Sequence, residues 1–193
     1  MTEATDDELM QRVRDGDAAP LGVLFERYQV PLYNFFLRLT GRTAVSEDLV
    51  QEVFLRVLKY RHTYRGQSQF RTWLYQIARN ARADHYRKRW RETELDDEKG
   101  RAVPSNDPSI HDVLEGSQQA ELIRQALQRL PEDKREVLVL SRYQDLRYED
   151  IGRLLGCTEG TVKVRVHRAM KELRTAYDAL LREHRAAWDA PGG

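Results

Sequence analysis

Residues 148–174 read YEDIGRLLGCTEGTVKVRVHRAMKELR. The first eight residues have the spacing of a short amphipathic helix. GCTEG at 156–160 interrupts it, and a second, longer helical pattern runs from Thr161 to about residue 185. Ile151, Leu154 and Leu155 on the first helix face Val162, Val166, Ala169 and Leu173 on the second, spaced i, i+4, i+7, i+11. A short helix, a tight glycine-containing turn and a second helix form a helix-turn-helix. The opposite face of the second helix carries Lys163, Val164, Arg165, His167, Arg168, Lys171 and Arg174. In this motif the second helix enters the major groove, where Arg and Lys pair with guanine O6 and N7. The same pattern also fits a plain helical hairpin with a basic solvent face.

Upstream of this motif, helical periodicity covers 117–130. Pro131 opens another helix, with Glu132 and Asp133 in its first turn, where acids suit the helix dipole. That helix runs to about Tyr143. Between 92 and 116 the periodicity stops. Asp, Glu, Ser, Asn, Gly, Pro104 and Pro108 dominate there, the composition of a linker.

The first 91 residues read as four helices. Thr5 and Glu8 form a capping box that opens the first, which stops near Gly16. The second starts between Asp17 and Pro20 and runs to Thr40, with Pro31 inside it. The third covers 46–60, with Leu49, Val50, Val53, Phe54, Val57 and Leu58 on one stripe. The fourth begins at Ser68 or Gln69, and Phe70, Trp73, Leu74, Ile77, Ala78 and Ala81 form its apolar face. No alternating β pattern stands out. The predicted fold is all-α: two helical domains, 1–91 and 117–185, a flexible acidic linker at 92–116 and a tail at 186–193.

Charge is distributed unevenly along this plan. The chain has 193 residues, with 32 Lys+Arg against 31 Asp+Glu and a net charge of +1. That balance alone argues against a nucleic-acid partner. It conceals a block at 61–91 with nine basic groups and one acid, Asp84, followed by 92–121 with nine acidic groups and two basic ones. Segregation of this kind is an electrostatic footprint that the total hides.

The basic block interleaves cations with Tyr64, Phe70, Trp73, Tyr75, His85, Tyr86 and Trp90. Bases stack on aromatics while Arg and Lys follow the phosphates, a combination suited to unpaired DNA. Phe70, Trp73, Leu74 and Ile77 share the apolar stripe and are expected in the core. Tyr64, Tyr75, Gln76, Arg79, Asn80 and Arg82 fall off it and are expected to face outward, with Gln76 and Asn80 able to hydrogen-bond a base that has left its stack. The preceding helix is different. Its polar side carries Glu47, Asp48, Gln51, Glu52 and Arg56, which suits a protein partner or a solvated face.

FERYQVPLYNFFLRLTG (25–41), SEDLVQEVFLRVLKY (46–60), FRTWLYQIARNARADHYRKR (70–89) and the stretch 130–174 together resemble an extracytoplasmic-function (ECF) sigma factor of the bacterial sigma-70 superfamily. The resemblance spans about nine-tenths of the chain. It implies a sigma-2 domain up to about residue 91 and a sigma-4 domain from about 117. It implies core RNA polymerase as partner, with Asp48, Gln51 and Glu52 docking on the coiled coil of the largest subunit and sigma-4 meeting the flap. Tyr64 would lie in a pocket loop for a flipped minus-ten base, with Tyr75, Gln76, Arg79, Asn80 and Arg82 on the helix behind it. Thr161, Lys163, Val164, Arg165, His167 and Arg168 would read the minus-thirty-five element as duplex. The linker would thread toward the RNA-exit channel, and an anti-sigma protein would control the whole.

Three positions depart from the family pattern. Val164 stands where Ser is usual, exchanging a polar base contact for an apolar one. Gly152 replaces a usual Ala, at a helix-propensity cost of up to about 1 kcal/mol. Thr158 and Glu159 replace a common Pro-Val pair and bring a negative charge close to DNA.

Other classes fit less well. The five histidines, His62, His85, His111, His167 and His184, show no metal-ligand spacing. No phosphate-cradling glycine motif or Ser-His-Asp arrangement is present, so neither an enzyme, a metal nor a cofactor is expected. A sigma mimic that binds an anti-sigma protein without DNA would lack these basic faces. A lone helix-turn-helix repressor would not use the aromatic-basic block. Cys157 is the single cysteine, so no intrachain disulfide can form. The acidic N-terminus lacks a signal-peptide core and no run reaches the ~18 apolar residues of a membrane span, so a bacterial cytoplasmic location without membrane insertion is expected.

Overall fold

The computed structural model describes residues 4–66, 69–95 and 118–188. Among them are eight α-helices and no strand. The helices are α1 (Asp6–Arg14), α2 (Pro20–Thr40), α3 (Thr43–Tyr60), α4 (Phe70–Leu95), α5 (Gln118–Arg129), α6 (Glu132–Leu138), α7 (Tyr148–Leu155) and α8 (Glu159–Trp188). A 3-10 turn, Arg61–Thr63, follows α3, and a π-helical segment, Val139–Tyr143, follows α6. The chain divides into two compact units, Met1–Phe36 with Ala44–Asn106, and Leu37–Thr43 with Asp107–Gly193. Most of the stretch read as a linker, residues 96–116, lies outside the described residues, as does the end of the tail from residue 189.

In the first unit, local signals place the helix starts. The expected capping box is present: Glu8 N–H donates to Thr5 Oγ1 at 3.3 Å, and Thr5 N–H donates to Glu8 Oε2 at 2.8 Å. Pro31 lies inside α2 without ending it. The core is aromatic. Phe35 packs edge-on against Tyr75 with centroids 5.1 Å apart, and Tyr28 packs against Phe70 at 5.4 Å. Helix α3 starts three residues before the expected Ser46, which is fully buried in its first turns. Leu58, expected on the apolar stripe of α3, is 38% exposed. Helix α4 runs to Leu95, past residue 91, where the sequence places the domain end.

In the second unit, α5, α6 and α7 all pack on α8. Ile151 and Leu154 of α7 and Val162, Val166 and Ala169 of α8 are buried, as the helix-turn-helix pattern requires. A satellite cluster of Leu122, Ala126 and Leu180 gathers Leu173 and Tyr177 farther along α8. The π segment has no sequence signal. Gln144 N–H reaches back five residues to Val139 O at 3.2 Å, and Asp145 follows at φ +48°. One extra residue per turn there resets the direction of the chain before α7 begins.

Candidate nucleic-acid and polymerase interfaces

The turn between α7 and α8 sets the angle at which α8 is presented. Gly156 ends α7 in the left-handed conformation, at φ +65°, where glycine has no Cβ penalty. Cys157 N–H then donates to Gly152 O at 2.9 Å. This folds the turn over Gly152 so closely that an added Cβ would stand 2.6 Å from Cys157 O. Gly152 thus lets the turn close this tightly, a packing role in addition to the helix-propensity cost read from the sequence. Thr158 caps α8: its Oγ1 accepts from Thr161 N–H at 3.2 Å and lies 2.9 Å from Thr161 Oγ1. Thr161 is thus half-buried and engaged within the turn.

Beyond the cap the helix separates cleanly into two faces. Val162, Val166 and Ala169 are buried, while Lys163, Val164, Arg165, His167 and Arg168 are exposed. Lys163, Val164, His167, Arg168 and Lys171 recur at i, i+1, i+4, i+5 and i+8, which makes one continuous surface. Arg165 lies at its edge. Val164 is 49% exposed, an apolar side chain among cations.

The aromatic-basic block is arranged differently from the sequence expectation. Tyr64, Tyr75 and Arg82 were expected to face outward. They are 1%, 0% and 7% exposed. The buried face of α4 is wider than the single stripe read from the sequence. Beside Phe70, Leu74, Ile77, Ala78 and Ala81 it takes in Thr72, Tyr75 and Arg82, which lie off that stripe. Tyr64 tucks under the start of α4, with its ring 5.3 Å from Trp73 and its hydroxyl donating to Asp7. Burial and the Asp7 carboxylate push the Tyr64 phenol well above its ordinary pKa. Burial and Asp6 do the same to Tyr28.

Of the expected site residues of the block, Asn80 is exposed and Gln76 and Arg79 are half-buried, with Gln76 Nε2 donating to Asn80 Oδ1 at 3.1 Å. Farther along α4, Tyr86 is 40% and Trp90 71% exposed, interleaved with Arg87, Lys88 and Arg89. Both are exposed aromatics of the interleaved block that lie outside the expected site residues.

On α3, Asp48 and Gln51 are exposed. Glu52 is half-buried and held by Arg56, whose Nε donates to Glu52 Oε1 and whose Nη1 donates to Asp84 Oδ2 of α4, both at 2.6 Å. Burial alone would lower the Arg56 pKa, but these two carboxylates outweigh it and raise it. Leu55, 65% exposed, continues the surface of Asp48 and Gln51 at i+7 and i+4. An exposed leucine beside exposed polar groups has the mixed character of a protein interface. Its sequence signal was a leucine outside the apolar stripe.

Residues 24–92 match the family model for Sigma-70 region 2, and residues 120–173 match that for Sigma-70, region 4. The RNA polymerase sigma-H factor of Pseudomonas aeruginosa is 32% identical over 201 residues, covering 95% of this chain and 99% of that one. The ECF RNA polymerase sigma factor EcfG of Rhodopseudomonas palustris is 37% identical over 139 residues, 72% of this chain and 75% of that one. The chain belongs to the extracytoplasmic-function group of the sigma-70 family. Among solved structures, the sigma factor RpoE in complex with the anti-sigma factor NepR, from Bartonella quintana, is similar. The TM-score is 0.69 at 27% identity, covering 81% of this chain and 96% of that one. The region 2 match holds α3 and the aromatic-basic α4 of this sigma factor, and the region 4 match holds its helix-turn-helix. Among the described residues of the sigma factor, no helix is long and apolar enough to cross a membrane, and no cluster of candidate metal ligands occurs.

Proposed function

We propose that this sigma factor joins core RNA polymerase and directs it to promoters by reading two elements. The observation that carries the reading is the exposed surface of Lys163, Val164, His167 and Arg168 at the start of α8, beside the capped turn. A helix so presented fits the major groove of a minus-thirty-five duplex, with Arg165 toward the phosphates and Thr161 holding the turn. In the first domain, 1–91, Gln76, Arg79 and Asn80 meet the flipped minus-ten base. Tyr86 and Trp90 offer stacking surfaces to the unpaired strand. Tyr64, Tyr75 and Arg82 support that face from within. Asp48, Gln51 and Leu55 dock on the coiled coil of the largest subunit, and Glu52 is set by Arg56. The second domain, 117–185, meets the flap, and 92–116 links the two. The polymerase does the chemistry, so the chain itself is not an enzyme and needs no cofactor. It works in the bacterial cytoplasm, and an anti-sigma protein is its controlling partner, as in the similar RpoE–NepR complex.

Run-off transcription with core polymerase on a genomic promoter library, with and without the protein, tests the reading. Transcripts from a defined promoter subset are expected only when it is present. Binding of an anti-sigma protein without any stimulated transcript would mark a sigma mimic instead.

A further inference from the structure

Helix α1 precedes the matched region, which begins at residue 24. Its first turn nonetheless reaches the start of α4. A single oxygen, Asp7 Oδ1, accepts from the Tyr64 hydroxyl and from the Phe70 backbone N–H, the latter at 2.7 Å. Tyr64 is the C-cap of the 3-10 turn, and Phe70 is the first residue of α4. The two groups that Asp7 holds are therefore the two ends of the segment between them. Phe70 N–H is one of the donors that a helix start leaves without an intrahelical partner. A carboxylate there satisfies the donor and opposes the positive end of the helix dipole. Asp6, one residue earlier, anchors the same turn to α2: its Oδ1 accepts from Arg27 Nη1 at 2.6 Å and its Oδ2 from the Tyr28 hydroxyl. The Tyr28 ring in turn packs on Phe70.

The anchoring is directional. Gln76, Arg79 and Asn80 follow Phe70 within about three helical turns on the same helix. A shift or a re-registering of the first turn moves all three. We infer that Asp7 is a positioning residue for minus-ten readout, fixing the start of α4 so that its polar face is presented in one register before DNA arrives. Preorganisation of this kind improves discrimination because a wrong base cannot be met by re-packing the site. The inference rests on the reading of α4 as the minus-ten face.

The test uses the full chain with core polymerase. The template is the genomic fragment that the wild-type chain transcribes best, with a copy carrying one base substitution in its minus-ten element. The readout is the ratio of initiation on the two. Asp7→Ala removes both hydrogen bonds and is expected to lower that ratio at least about tenfold, the scale of one such bond to a charged group. Affinity for core polymerase should stay unchanged. Asp7→Asn keeps the Oδ1 acceptor and should recover most of the ratio. If Asp7→Ala does not fold, Tyr64→Phe removes one of the two bonds, keeps the ring, and should lower the ratio in the same direction. An unchanged ratio in the folded variants, with a lowered ratio in Asn80→Ala, would overturn the role of Asp7 and leave α4 as the reader. An unchanged ratio in Asn80→Ala as well would overturn both. A proportional loss on the two templates would assign Asp7 a structural role only.

Discussion

The carbonyl oxygen of Cys157 lies where the β-carbon of any residue but glycine at 152 would have to approach, 2.6 Å from an ideal Cβ. Gly152 O also accepts the Cys157 N–H. The obstacle is backbone on a short turn and has no flexible end to swing away. Gly152→Ala should destabilise the chain by about 1–3 kcal/mol, the usual range for overpacking. Helix propensity alone predicts a gain of up to about 1 kcal/mol. Urea denaturation decides between the two signs, and a more stable variant would show that the turn relaxes freely.

Tyr28 and Tyr64 both have raised pKa values, from burial first and from their hydrogen bonds to Asp6 and Asp7 second. Their folded-state values exceed the unfolded ones. The stability they contribute is complete below pH about 10 and is lost as pH rises beyond it. Absorbance titration of the folded chain should show Tyr28 and Tyr64 still protonated above pH about 10, until the chain unfolds. Titration curves of the wild type, Tyr28→Phe and Tyr64→Phe that differ near pH about 10 before unfolding would contradict the Asp–Tyr contacts.

Much of this was legible in the residues. The capping box at Thr5, Pro131 at a helix start, and the apolar spacing of Ile151, Leu154, Val162 and Val166 are local signals, and local signals place helices. What the sequence concealed was the width of the buried faces. Tyr75 and Arg82 lie beside an apolar stripe, and polar ends on both made an outward placement plausible. Only the packing of α4 against Phe35 and its neighbours decides that they turn inward. Asp7 drew no reading of its own, since a bond across 57 residues leaves no local trace. The π segment after Leu138 was equally silent. The outward face of α8 was legible because a lone amphipathic helix packed on one side keeps its period.

Leu55 is 65% exposed and supports nothing in the core. Leu55→Glu should therefore leave thermal stability within about 0.5 kcal/mol, as for ordinary surface changes. Affinity for core polymerase should fall by at least about tenfold, the scale of a truncated interface anchor. Titration of labelled protein with core polymerase checks this, and unchanged affinity would remove Leu55 from the interface.

Lys163 and Arg168 are exposed cations on the helix proposed for duplex readout. If one of them contacts phosphate, its alanine variant should reduce the salt slope of holoenzyme binding by about one, equally for all sequences. If it pairs with a base edge, the variant should relax preference at one position by about 1–3 kcal/mol. Affinity measured at several salt concentrations on an upstream element and its single-base variants separates these outcomes. No change in either quantity would move the reading surface away from these residues.

Permanganate footprinting of a promoter in complex with core polymerase tests the two-element mechanism most directly, because only unpaired thymines react. The expected result is reactivity in the minus-ten region that needs this protein, disappears when the upstream element is scrambled and weakens when Asn80 is changed to Ala. Reactivity independent of the protein, or of both elements, would contradict it.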